Sequence, residues 1–204
     1  MNKKYREANK EKIKVIKRKE YQRNKAKYIQ KSRLHHYNLK KEVLNHYGHK
    51  CVFCGNTYYE HLTIDHILND GAKHRKQMTK NLYSVVKEQG FPSKYQLLCW
   101  NCNCTKNRNF NSNNSKIRFK LIELLGNKCT CCGETKKEFL CIDHINGGGT
   151  KIYRKLGSYQ VYKDLLSRGA PKNEVRVLCY NCNSAKGLHG YCPHKTLQED
   201  KEKG

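Results

Sequence analysis

Residues 51–71 read CVFCGNTYYEHLTIDHILNDG, and residues 129–149 read CTCCGETKKEFLCIDHINGGG. The second stretch is the first written again: Cys51 falls on Cys129, Cys54 on Cys132, Asp65 on Asp143 and His66 on His144 at one constant offset. Further along, single-residue insertions in the second copy keep the match, so that Arg75 falls on Arg154, Tyr83 on Tyr162, Gly90 on Gly169, and Cys99, Cys102 and Asn103 on Cys179, Cys182 and Asn183. An internal repeat of this period must be read as two related units, each with its own small core. The fold class expected from the pattern is therefore α+β in two tandem modules. The first covers 37–106 and the second 117–195, with an arm over 1–36, a linker over 107–116 and a charged tail over 196–204.

Units of about 80 residues bury too little apolar surface to be secure without a staple. Twelve cysteines supply one. Disulfides would suit a secreted chain, but no apolar stretch resembling a signal peptide opens this sequence, and the CxxC pairs have the spacing of zinc sites. That combination points to a reducing, cytoplasmic setting. No apolar run is long enough to cross a bilayer, so a soluble protein with no membrane partner is expected.

In each copy two CxxC pairs stand far apart in sequence: Cys51 and Cys54 with Cys99 and Cys102, then Cys129 and Cys132 with Cys179 and Cys182. Four thiolates complete the tetrahedral shell of Zn²⁺ and leave no open position, which marks two structural zinc sites, not catalytic ones. Gly55 and Gly133 follow the first pair in each copy and suit a tight knuckle. Cys131 competes in register with Cys132, but Cys132 keeps the spacing of the first copy and is the better ligand. Cys104, Cys141, Cys192 and His194 have no counterparts in the other copy. They read as packing or tail residues, with Cys192 and His194 able to support an extra metal contact.

The formal net charge is +25, from 42 Lys and Arg against 17 Asp and Glu. So basic a chain favours partners with dense negative charge, nucleic acid ahead of anionic membrane, although charge alone does not separate DNA from RNA. Much of it lies in residues 1–36, a stretch without Gly or Pro whose Tyr5, Ile13, Ile16, Tyr21, Tyr28 and Ile29 recur at loosely helical intervals. A basic helical arm is expected, with Lys17, Arg18 and Lys19 among the residues laid against phosphates. Short helices LKKEVLNHY and IRFKLIELL, each stopped by glycine, should enter the two modules, with Leu39, Val43 and Leu44, or Leu121, Leu124 and Leu125, covering their cores. The run NRNFNSNNS between them reads as a flexible linker that lets the modules reorient.

Between the cysteine pairs an apolar strand, Leu62 to Ile67 or Leu140 to Ile145, contains the dipeptide Asp-His. A carboxylate beside an imidazole within a strand is costly unless both are solvated or serve a site. Alternation sends the two to opposite faces, although a strand end or bulge can aim both at one pocket.

Taken together, CxxC, IDHI with its following loop, and LCxNCN with a lysine three residues later (Lys106, Lys186) resemble the HNH endonuclease family, especially the zinc-stapled members common in bacteriophage. The resemblance covers about residues 39–107 and 117–195. It implies two zinc-bound, treble-clef-like His-Me finger (ββα-metal) modules. It implies that His66 and His144 act as general bases. Asp65 with Asn103, and Asp143 with Asn183, would hold Mg²⁺ or another divalent cation. The basic residues after the loop, Lys73 with Arg75 and Lys151 with Arg154, are candidates to clamp phosphate together with Lys106 and Lys186. The family's middle residue, which orients the base, has no clear match: Asn81 is replaced by Gln160 in the second copy.

The expected activity is metal-dependent hydrolysis of double-stranded DNA in a bacterial or phage-infected cell, with two modules addressing both strands, and the duplication is compatible with a monomer. The rival readings are a non-catalytic zinc-dependent DNA- or RNA-binding protein and a nickase with one active module.

Overall fold

A computed structural model describes residues 3–194. The expected tail at 196–204 lies outside the described residues, as do residues 1, 2 and 195 at the edges of the expected arm and second module. The chain divides into two compact units that meet between Val43 and Leu44.

The first unit is helical: α1 (Lys3–Ala8), α2 (Lys10–Arg23) and most of α3 (Lys25–His46). Its helices part at Asn9 and Asn24, whose side-chain amides donate to the carbonyls of Tyr5 and Glu20 at 3.1 Å. Asparagine competes locally for backbone groups in this way, and so interrupts a helix that no glycine or proline breaks. Lys17, Arg18 and Lys19 are exposed on α2. The short entry helix expected at 39–47 is the last part of α3, since nothing between the arm and the first module stops the helix. It ends where Gly48 adopts φ +86° and the His49 amide donates to the Leu44 carbonyl at 2.8 Å. Leu39, Val43 and Leu44 are buried as expected.

The second unit holds both copies. The first runs β1 (Leu62–His66), α4 (Gly71–Gln77), α5 (Leu82–Glu88), β2 (Tyr95–Cys99) and α6 (Trp100–Thr105). The second runs α7 (Asn113–Leu124), a 3-10 turn (Lys137–Phe139), β3 (Leu140–His144), α8 (Gly149–Leu156), α9 (Ser158–Ser167), β4 (Val175–Cys179) and α10 (Tyr180–His189). Each copy forms its own two-stranded antiparallel sheet, and the registers correspond: Leu62 faces Cys99 and Asp65 faces Gln96, while Leu140 faces Cys179 and Asp143 faces Arg176. The architecture is mixed α and β with two small sheets.

A two-stranded sheet is marginal alone and must be covered. In the second copy α7 and α9 do this, with Leu121, Ile122, Val161 and Leu165 packed around Ile142 and Val177. Leu124, expected in that core, is exposed; the face that packs follows Arg118, Leu121, Ile122 and Leu125, and Ile122 takes the place assigned to Leu124.

The polar run between the copies also departs from a free linker. Ser112 caps α7 by accepting from the Ser115 amide, and the Asn109 carbonyl accepts from the hydroxyls of Ser112 and Ser115. The copies are further joined by a reciprocal pair of hydrogen bonds, Asn101 amide to Asn181 Oδ1 and Asn181 amide to Asn101 Oδ1, each 2.9 Å and buried. Arg108 donates to the Tyr180 hydroxyl across the same junction.

Candidate functional site

Each cysteine cluster is assembled by two local devices. In the first copy the Cys51 amide donates to the Asn56 carbonyl and the Gly55 amide to the Cys51 carbonyl, both at 2.8 Å, closing a knuckle that needs Gly55 at φ +74°. The Val52 amide docks this knuckle on the Leu97 carbonyl of β2. The other two cysteines come from the junction of β2 and α6, where Cys99 Sγ accepts from the Cys102 amide and caps the helix. The second copy repeats every part: Cys129 to Glu134, Gly133 to Cys129, Thr130 to Val177, and Cys179 capping α10.

Within each cluster the four sulfurs lie within 4.8 Å of one another, with Cys54 and Cys99 at 3.7 Å and Cys132 and Cys179 at 3.8 Å. Ligands about 2.3 Å from a tetrahedral zinc stand about 3.8 Å apart, so the donor sets fit zinc. Burial pushes the Cys99 thiol up to about 11 and that of Cys102 higher still, whereas Cys51, against its burial, is held below the ordinary thiol value by hydrogen bonds from the backbone of Cys99 and of the knuckle. A third group, Cys131, Cys182, Cys192 and His194, could also hold a metal ion. Cys131, which yields the register of the four-cysteine cluster to Cys132, thus stands with Cys192 and His194, the pair expected to be able to support an extra metal contact.

Asp65 and His66 stand at the end of β1 and are both buried. They leave the strand on opposite faces, because Asp65 shares its face with its partner Gln96 and His66 with Tyr95. The Asp65 carboxylate accepts from Gln96 Nε2 at 2.8 Å and from Lys106 Nζ at 2.7 Å. Lys106 also donates to the carbonyls of His66 and Ile67, clasping the strand end from the position that directly follows α6. The residue expected at phosphate is therefore paired with the residue expected at metal. The His66 ring rests on the start of α4, edge-on to Tyr95, with Nε2 2.9 Å from His74 Nδ1. Gly71 is required there, since a Cβ on it would stand 2.9 Å from His66 Nδ1. Burial lowers the His66 pKa, opposed by the charge of Asp70 and assisted by His74.

The second copy keeps the plan with different partners. Asp143 accepts from Arg176 Nε at 2.9 Å and from Lys186 Nζ at 3.3 Å. His144 lies against Gly149, where a Cβ would stand 2.7 Å from Nδ1, and edge-on to Tyr153. Asp143 and His144 are more open to solvent than their counterparts.

Asn103 lies on α6 one turn before Lys106, and Asn183 directs its amide nitrogen to Cys141 Sγ at 3.5 Å, on the same strand as Asp143. Neither caps its helix, a role taken by Cys99 and Cys179. Asn81 caps α5 by accepting from the Ser84 amide, which removes it from the base. Lys73, Arg75, Lys151 and Arg154 are exposed on α4 and α8, the helices whose first glycines support the imidazoles. A carboxylate and an amide are the hard oxygen donors that Mg²⁺ prefers, so the residues fit such a cation in kind. At both aspartates a cation would compete with a lysine.

No family model matches this chain, and no curated protein or solved structure matches it significantly. Among the described residues no helix is long and apolar enough to cross a membrane.

Proposed function

We propose that the protein is a metal-dependent endonuclease of the HNH type, built from two tandem treble-clef-like His-Me finger modules, each stapled by zinc, and that it hydrolyses phosphodiester bonds in double-stranded DNA. The observation that carries this reading is the imidazole site found twice: a histidine at a strand end, set on a glycine that opens the next helix, beside an aspartate on the opposite face. A structural histidine has no need of that arrangement in two copies whose surrounding partners differ.

In this reading His66 and His144 accept the proton of the attacking water, a task suited to an imidazole that is neutral near pH 7. The lowered pKa of His66 keeps it in the accepting form. Lys73 and Arg75, or Lys151 and Arg154, draw the phosphate against the helix that carries them. A divalent cation held by Asp65 and Asn103, or by Asp143 and Asn183, would offset the charge that builds on the phosphate oxygens. Lys106 and Lys186 hold the same aspartates and can turn from carboxylate to phosphate as the substrate arrives. The exposed Lys17, Arg18 and Lys19 add affinity independent of sequence.

One observation favours a second reading, a nucleic-acid-binding protein without turnover: both aspartates are already neutralised by basic residues of the chain. Purified protein incubated with supercoiled plasmid, with and without added Mg²⁺, separates the two. The expected result is nicked and linear DNA only with Mg²⁺, lost in a His66→Ala/His144→Ala double variant that still shifts DNA in a gel. Binding with no cutting under any divalent cation would leave the second reading in its place.

A further inference from the structure

Three metal-binding side chains surround one of the two cysteine clusters and have no equivalents at the other. Cys131 stands where the first copy has Phe53, while Cys192 and His194 follow α10 in a segment that turns back after Gly190. All three converge on Cys182, already a member of the four-cysteine cluster. His194 Nδ1 lies 3.4 Å from Cys182 Sγ and 3.5 Å from Cys192 Sγ, and the donor atoms of Cys131, Cys182, Cys192 and His194 all lie within 4.8 Å of one another. Bonds of about 2.3 Å to sulfur and about 2.0 Å to nitrogen put tetrahedral ligands about 3.5 Å apart, so the two edges from His194 match those of a zinc shell.

We propose that the second copy holds a pair of zinc ions bridged by the Cys182 thiolate. One ion is bound by Cys129, Cys132, Cys179 and Cys182, and the other by Cys131, Cys182, Cys192 and His194. The protein then carries three zinc ions, counting the one held by the first copy.

Six thiolates around two divalent ions leave an excess of negative charge, which nearby N–H groups must offset. The first copy supplies one. His61 is fully buried, its Nδ1 lies 3.4 Å from Asn56 Nδ2, and its Nε2 lies 4.0 Å from Cys192 Sγ. With the Asn56 amide donating to Nδ1, the ring proton sits on Nε2 and points at the sulfur. The His61 and His194 rings lie 5.1 Å apart, and Tyr191 donates its hydroxyl to Glu60 across the same seam. The second zinc of the pair thus ties residues 191–194 to the body of the second copy and sets the first copy's His61 against one of its ligands.

The test is metal content of the full-length protein, followed by cadmium substitution. Elemental analysis should find three zinc ions per chain, falling to two in Cys131→Ser, whose side chain is only half-buried, and again to two in His194→Ala. In the protein loaded with ¹¹³Cd, two of three signals should show mutual scalar coupling through the shared sulfur, and His61→Ala should keep all three ions. Two zinc ions in the unaltered chain would overturn the proposal whatever the variants do. Three uncoupled cadmium signals, with one lost in His61→Ala, would overturn the bridge by making His61 a ligand in place of Cys182.

Discussion

At the scale of single residues, the two glycines beneath the histidines make the sharpest prediction. Gly71 and Gly149 open helices and have no positive φ, so alanine would suit the backbone and even favour the helix. What it would meet is the imidazole, at 2.9 Å in one copy and 2.7 Å in the other. The ring is the part that yields. Gly71→Ala and Gly149→Ala should therefore keep the fold and displace the proposed bases, with a loss of about 10²-fold in cleavage by the affected copy, since misplacement of about 1 Å has that effect. Normal cleavage by both variants in a plasmid assay would detach the histidines from the chemistry. His66 also makes a pH prediction. Its pKa is lower in the folded chain than the ordinary value of about 6.5, so the unfolded chain binds the proton more readily. The associated stability is fully present above about pH 6.5 and is lost as pH falls below that value toward the folded pKa. Urea midpoints from about pH 7 to about pH 5 should thus fall more steeply in the unaltered protein than in His66→Asn. Parallel curves would contradict the buried neutral imidazole. The Asp-His dipeptide was legible from its repetition alone. The clasp of Lys106 on Asp65 was not, because the two are 41 residues apart and meet only through the pairing of β1 with β2 and the exit angle of α6.

At the scale of elements, α6 and α10 start in the same way and cap one another. Helix starts leave backbone amides without partners, and a buried one is costly unless a side chain accepts from it. Here the acceptor for Asn101 is Asn181, and the acceptor for Asn181 is Asn101. Asn101→Ala should cost about 1–3 kcal/mol, because it strands the buried Asn181 amide. The double variant should cost less than the sum of the singles, and a double-mutant cycle on chemical denaturation measures the difference. Strict additivity would mean that the two caps act independently. Sequence showed both asparagines but placed neither: each stands inside a CxxC pair and reads as a knuckle filler until the two helix starts face each other. The same level explains the other departures. The entry helix merged with the arm because the chain from 25 to 46 contains neither glycine nor proline, and the linker shortened because Ser112 had Ser115 in capping position.

At the scale of the molecule, the joined helix starts bear on what two active modules would do. A flexible linker would let each copy find its own strand at variable separation, and the ends of a double-strand break would vary in offset. The copies are instead held by the Asn101–Asn181 pair, by Arg108 on Tyr180 and by His61 beside Cys192. Two cutting centres fixed in one body must meet the duplex at one spacing. If both copies cleave, the breaks should share a single stagger, readable by sequencing both ends of linearised plasmid. His66→Ala and His144→Ala should each leave a nick, in opposite strands, at the positions that define that stagger. Each should reduce its own cut by about 10² to 10⁴, the contribution expected of a general base. Asn101→Ala offers the complementary reading: loosening the junction should broaden the distribution of offsets while both nicks remain. A broad distribution already present in the unaltered protein would show that the two centres act on DNA one at a time.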